Sequence, residues 1–216
     1  MLFLLESKPL MGDTAYERLF EIVSEAYRNT AAQHADDFLP FFLVNDIIRY
    51  WRTLLLNHED RLRKKHVELE NDGVTGEELA GTLLAHRKYR SQKLRFPRCL
   101  ICFSTLAYLL ALAPSDEDRI SAEDERKMFS LTPIERLRAV GEIRPRTSDQ
   151  TEAMIALYAL YMKRTSETKK EVVSRLGADP EFARATSEGG LQFTKQMFHL
   201  IQDLGNGNRL HRQMLI

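Results

Sequence analysis

Apolar residues recur at spacings of three and four almost everywhere along this chain, and the strict alternation that marks a half-buried strand is missing. The stripe Leu19, Ile22, Val23 and Ala26 predicts a first helix to about Ala32, capped by Asp13 or Thr14. Pro40 suits the entry of a second helix, Phe41 to about Glu68, which turns Val44, Ile47, Ile48, Trp51 and Leu55 to one side. That stripe is lost in "HEDRLRKKHVELE", so the far end of the helix is expected to be exposed. "NDG" breaks the chain, and "TGEE" at Thr75–Glu78 reads as a capping box opening a third helix.

Pro97 marks the start of an apolar helix running to Ala113. "TPIE", Thr132–Glu135, combines a Thr cap, Pro at the first helical position and Glu at the third, and opens a short helix to about Val140. "SDQTEAMIALYALYMKR" sets Met154, Leu157, Tyr158 and Tyr161 on one face, and "GADPE" ends the next helix and caps another. The pair Gly189 and Gly190 is read as preceding a last long helix with Phe193, Met197, Leu200, Ile201 and Leu204. Gly205 supplies its left-handed stop, and the tail "NGNRLHRQMLI" is expected to fray. The expectation is an all-α, multi-helix bundle of about seven to nine helices, one domain over residues 1–216 with a hinge at residues 115–126.

Composition narrows the function. Lys+Arg and Asp+Glu both number 31, so the chain has no global attraction to polyanions and any electrostatic function must be local. Cys99 and Cys102 cannot build a disulfide framework, and a single C-x-x-C without further ligands or a thioredoxin-like strand reads as core thiols; a reducing, cytoplasmic setting is expected. "MLFLLESKPL" has no Lys or Arg before its apolar stretch, which makes a poor signal peptide. "CLICFSTLAYLLALAP" falls short of the roughly 20 apolar residues that span a bilayer, so it reads as a core helix and no membrane is expected.

Four sets of residues are candidates for chemistry. Asp116 and Asp118 mimic magnesium-binding carboxylates but lie in a solvated link, and no metal site is assigned to them. From Leu79 to Ser115 there is no Asp or Glu, while Arg87, Lys88, Arg90, Lys93, Arg95 and Arg98 crowd one window. The last three abut the apolar helix, and an Arg fork held at a helix start suits a phosphate; the competing reading is a surface helix neutralised by acids that folding brings in. Asn45, Asp46, Arg49 and Arg52 interrupt the apolar second helix, with an Arg49–Asp46 pair organising the bundle as the plainer reading. "RLRKKH", Arg61 to His66, fits the Arg-x4-6-His pattern of the helical HEPN ribonucleases, against a solvated helix end.

"LVNDIIRYWRTLLLNHEDR", "KLRFPRCLICFSTL" and "TPIERL" together resemble the helical region that follows the catalytic domain in a group of bacterial nucleotidyltransferase-like proteins, and "MLFLLESKPL" resembles the junction leaving that domain. The family's catalytic part carries a Gly-Ser turn and spaced carboxylates for magnesium and a nucleoside triphosphate; this chain has no Gly-Ser pair. The resemblance implies a helical wall of a nucleotide cleft, not catalytic by itself, with Lys93, Arg95, Arg98, Arg49 and Arg52 meeting phosphate and Asn45 and Asp46 orienting these cations or the base. Magnesium and nucleotide are then expected only with a catalytic domain as partner, and a homo-oligomer is compatible with this. The alternatives are a HEPN-type ribonuclease using Arg61 and His66 on RNA phosphate, and a non-enzymatic helical interaction module.

Overall fold

The computed structural model describes residues 5, 13–29, 40–115 and 118–214, and among these it is all α, with nine helices when the uninterrupted run Gly76–Leu112 counts as one. The helices are α1 (Asp13–Asn29), α2 (Phe41–Asn71), α3 (Gly76–Lys93), α4 (Cys99–Leu112), α5 (Ala122–Ser130), α6 (Pro133–Ile143), α7 (Ser148–Arg164), α8 (Lys169–Ala178), α9 (Pro180–Gly205) and the short α10 (Arg209–Arg212).

The body is built around α4, whose residues from Ser104 to Ala111 are all buried, with Leu106, Leu109 and Leu110 at most 1% exposed. Each such leucine contributes about 2 kcal/mol of transfer free energy. The helices α6, α7 and α9 supply Leu137, Val140, Met154, Phe193 and Leu200 to the same core. Residues on both sides of the 115–126 link enter this core, including Ile120 within the link. Two thirds of the apolar window in Gly76–Leu112 is buried against other helices, although by length and composition alone this run could cross a bilayer.

Pro97 does not start a helix. Leu94–Arg98 is a π turn joining α3 to α4 without a break, with the Cys99 N–H donating to Leu94 O. Proline has no N–H to give, and widening one turn accommodates the missing bond. Arg98 therefore precedes a paired backbone, not the open helix N-terminus expected there.

Gly189 and Gly190 do not interrupt a helix either, because α9 begins at Pro180, capped by Asp179 Oδ1 accepting from the Phe182 N–H at 2.9 Å. They let α9 approach the π turn closely. A Cβ on Gly190 would lie 2.7 Å from Gln92 Oε1 and 3.1 Å from Arg95 Cδ. Phe96 enters the same junction, stacked on Tyr161 at 4.3 Å and tilted against Phe193 at 5.2 Å.

The Thr132–Glu135 capping box forms, with Thr132 N–H donating to Glu135 Oε2 at 2.6 Å, and boxes also form at Ser121–Asp124 and Thr168–Glu171. Thr75 caps α3 without a side-chain hydrogen bond, so the box expected there is absent. At the C-terminal end the left-handed residue is Gly207, φ 78°, not Gly205. The tail folds back instead of fraying: Asn208 is buried, its amide donating to Leu110 O and Ala113 O, and Leu210 is fully buried.

Candidate functional site

The clustered cations lie on the hairpin of α2 and α3, and its turn determines their arrangement. Val74 N–H donates to Leu69 O and Gly73 N–H to Glu70 O, both at 3.0 Å, with Gly73 at φ 80°. This closes α2 with a left-handed glycine, a conformation that costs other residues about 1–2 kcal/mol. The reversed chain returns antiparallel, so Arg61 acts electrostatically on Arg90 and Lys65 on His86. Helix α8 closes the third side: Lys88 Nζ donates to Leu176 O at 3.4 Å, and Tyr89 packs on Val172, Leu176, Phe182 and Ala183.

Between these helices lies a basin of about 400 Å³. Arg61, Lys64 and Lys65 line it from α2, Arg90 and Lys93 from α3, and Lys169 from the start of α8, while Glu68 is the one carboxylate in its wall among the described residues. Lys64 is paired with Asp60 at 2.7 Å and Lys65 with Glu68 at 2.8 Å. Arg61, Arg90, Lys93 and Lys169 make no ion pair among the described residues; Lys93 Nζ lies 5.2 Å from the centre of the Tyr89 ring.

Burial first, and this excess of positive charge second, shift the titration of neighbouring groups. Burial, and then the charge of Arg61, hold the Arg90 pKa below its ordinary value. Burial likewise lowers His86, with Lys65, Lys169 and Arg90 adding to the effect and Glu68 opposing it. His86 Nδ1 is buried without a hydrogen-bond partner. Such a surface attracts phosphate, sulfate or carboxylate, and Arg61 with Arg90 offers planar donor forks beside the point charges of two lysines.

The residues singled out from sequence are dispersed. Lys93 joins the basin, whereas Arg95 and Arg98 are half-buried at the π turn, Arg95 against Gly190 and Arg98 with a partner inside the protein. Asn45 donates to Phe41 O at 3.0 Å on its own helix, Arg49 bonds Asp46 at 2.9 Å while 65% exposed, and Arg52 is exposed. These four occupy the opposite end of α2 from Arg61. The Trp51–Phe103 ring contact, 5.2 Å, sets Arg52 about one helical turn from the level of Arg98. The cations of the window therefore divide, Lys93 with Arg61 and Arg98 toward the start of α2.

Arg61 and His66 point different ways, because five residues turn a helix by about 140° beyond one revolution. His66 Nε2 sits 3.3 Å from Glu70 Oε1 and lines a second groove with Leu62, Leu83 and Leu84. Cys99 and Cys102 are buried in the core, where burial and the adjacent thiol push the Cys99 pKa up. Asp116 lies outside the described residues, and Asp118 accepts from the Ser115 N–H at 2.7 Å, its pKa lowered mainly by hydrogen bonds from Ser115. Among the described residues no three His, Cys, Asp or Glu side chains cluster as metal ligands. A further cleft beside Arg144 and Arg146 uses these arginines structurally, donating to Ala111 O and Asp203 O, each at 3.0 Å.

Sequence reading missed Lys64, Lys65, Arg90 and Lys169 as members of the site and placed Arg61 only in the ribonuclease alternative. The antiparallel return forced by "NDG" would have indicated that Arg61 meets Arg90, but nothing local in "SETKKE" points to α3. Comparison with known proteins returns no matching family model, no matching curated protein and no matching solved structure.

Proposed function

We propose that this chain binds phosphoryl groups in the α2–α3–α8 basin, as the nucleotide- or substrate-binding portion of a nucleotidyltransferase-like system. The observation that carries the reading is the convergence of Arg61, Arg90, Lys93 and Lys169 from three helices, none of them in an ion pair among the described residues. Several exposed cations elsewhere in this neutral protein have acids beside them, as in Arg63–Asp60 at 3.1 Å and Arg184–Glu188 at 3.2 Å. Gathering like charges is unfavourable, and a bound anion relieves it. The sequence resemblance supplies the transfer setting: carboxylates of a separate catalytic domain would hold magnesium, and the reacting triphosphate would be bound through that metal.

Titration calorimetry with inorganic tripolyphosphate and with a nucleoside triphosphate tests the reading. Both bind the intact chain, and the double substitution Arg61→Ala/Lys93→Ala weakens both at least tenfold; unchanged binding would remove the basin as the site. The ribonuclease alternative retains Arg61 in an anion site but has His66 on another face. Metal-free RNA cleavage by the purified chain that disappears in His66→Ala would replace the binding reading with that one.

A further inference from the structure

The shape of the basin narrows the ligand, on the basis of the phosphate reading just given. We infer that the basin holds the sugar–phosphate backbone of a nucleic-acid strand, contacting several successive phosphates and no base. A site for one nucleotide is a concave, mostly apolar pocket with a few polar groups that fix the base and sugar. This basin has the opposite chemistry, with six cations, one carboxylate and a single aromatic ring in its lining among the described residues. The ring does not offer a stacking platform: Lys93 Nζ stands 5.2 Å from the centre of Tyr89, and Tyr89 packs on the apolar cluster of α8 and α9.

The cations are also spread out. Arg61 to Lys65 covers about 6 Å of rise along α2, and Arg90 with Lys93 about 4.5 Å along the antiparallel α3. Lys169 extends the field to α8. A strand presents its phosphate charges in series along its length, so a backbone crossing the hairpin brings anions to the cations of α2, α3 and α8 in turn. Contacts of this kind fix the position of a strand and carry no sequence information.

The test is fluorescence anisotropy of the full chain with labelled oligothymidylates of graded length, about 4 to 24 nucleotides, with an oligouridylate and a DNA duplex as arms that identify the source of the backbone. Affinity is expected to rise at least tenfold from the shortest to the longest strand. The slope of log K against log salt is expected near −3, from about four phosphates at roughly −0.7 each on a single strand. Arg61→Ala and Lys93→Ala should each reduce that slope by about 0.7, one single-strand phosphate contact, with circular dichroism unchanged. Affinity independent of length, or strands that bind no tighter than a nucleoside triphosphate, overturns the backbone inference. If tripolyphosphate still binds, the phosphate reading survives that result; if neither probe binds, both fall.

Discussion

The body around α4 and the α2–α3–α8 hairpin lobe treat positive charge in opposite ways. In the body, Arg136 is 1% exposed, yet its Nε donates to Met128 O and its Nη1 to Thr105 Oγ1, both at 2.8 Å. Burial lowers its pKa to about 10, so it remains a cation at neutral pH. In the hairpin lobe, Arg61, Arg90, Lys93 and Lys169 share a basin and have no carboxylate partner among the described residues. The apolar cluster beneath them is small, Val172, Leu176, Phe182 and Ala183 with Tyr89 against it. A charge enclosed by its own fold serves stability, and a charge left open toward solvent is available to a ligand.

Substitutions can separate the two regions, and the largest contrast is in packing. Leu109→Ala, at a fully buried site of α4, should cost about 3–5 kcal/mol in urea denaturation, while Leu84→Ala, 52% exposed on the hairpin, should stay within about 0.5 kcal/mol. Comparable losses at the two positions would show that the hairpin has a core of equal weight. Arg136→Ala should cost about 3 kcal/mol, because it opens a cavity and strands the Met128 carbonyl. Gly190→Val should cost about 1–3 kcal/mol by pressing Gln92 and Arg95 off α9, read as a lowered melting temperature.

Arg61→Glu with Lys93→Glu should leave stability within about 0.5 kcal/mol of the parent while abolishing anion binding. A large destabilisation would mean that these cations hold the fold. The smallest effect belongs to His86. Its folded pKa lies below the usual 6.5, so as pH falls through that value the unfolded chain takes up the proton first and stability is lost toward the lowered folded pKa. His86→Gln should flatten this acid limb, and a polyanion in the basin should raise the His86 pKa in an NMR titration.

The helical architecture was legible because period and caps are local properties. The stripe of Met154, Leu157, Tyr158 and Tyr161 and the Thr132–Glu135 box needed no knowledge of distant residues, and both are present in the structure. Pro97 and the Gly189–Gly190 pair misled for one reason. Each usually punctuates a helix, but here one is accommodated by a π turn and the other lets that turn come close. The tail and Arg136 were illegible because their partners, Leu110 O and Thr105 Oγ1, are 98 and 31 residues away in sequence. Of the candidate site, the acid-free window located Lys93, but only the hairpin register brings Arg61 to it and only the packing of α8 adds Lys169.

The π turn also sets a phase between the two regions. Each residue advances a helix by about 100°, so one extra residue in the turn rotates everything before it relative to everything after it. Leu94–Arg98 joins α3, which carries Arg90 and Lys93, to α4, which is buried on nearly every side. A one-residue deletion that restored regular helical register there would swing the basin about 100° around the shared axis while leaving each helix intact. The five residues act as a phase shifter, which decides the direction in which the cations face relative to the body that supports them.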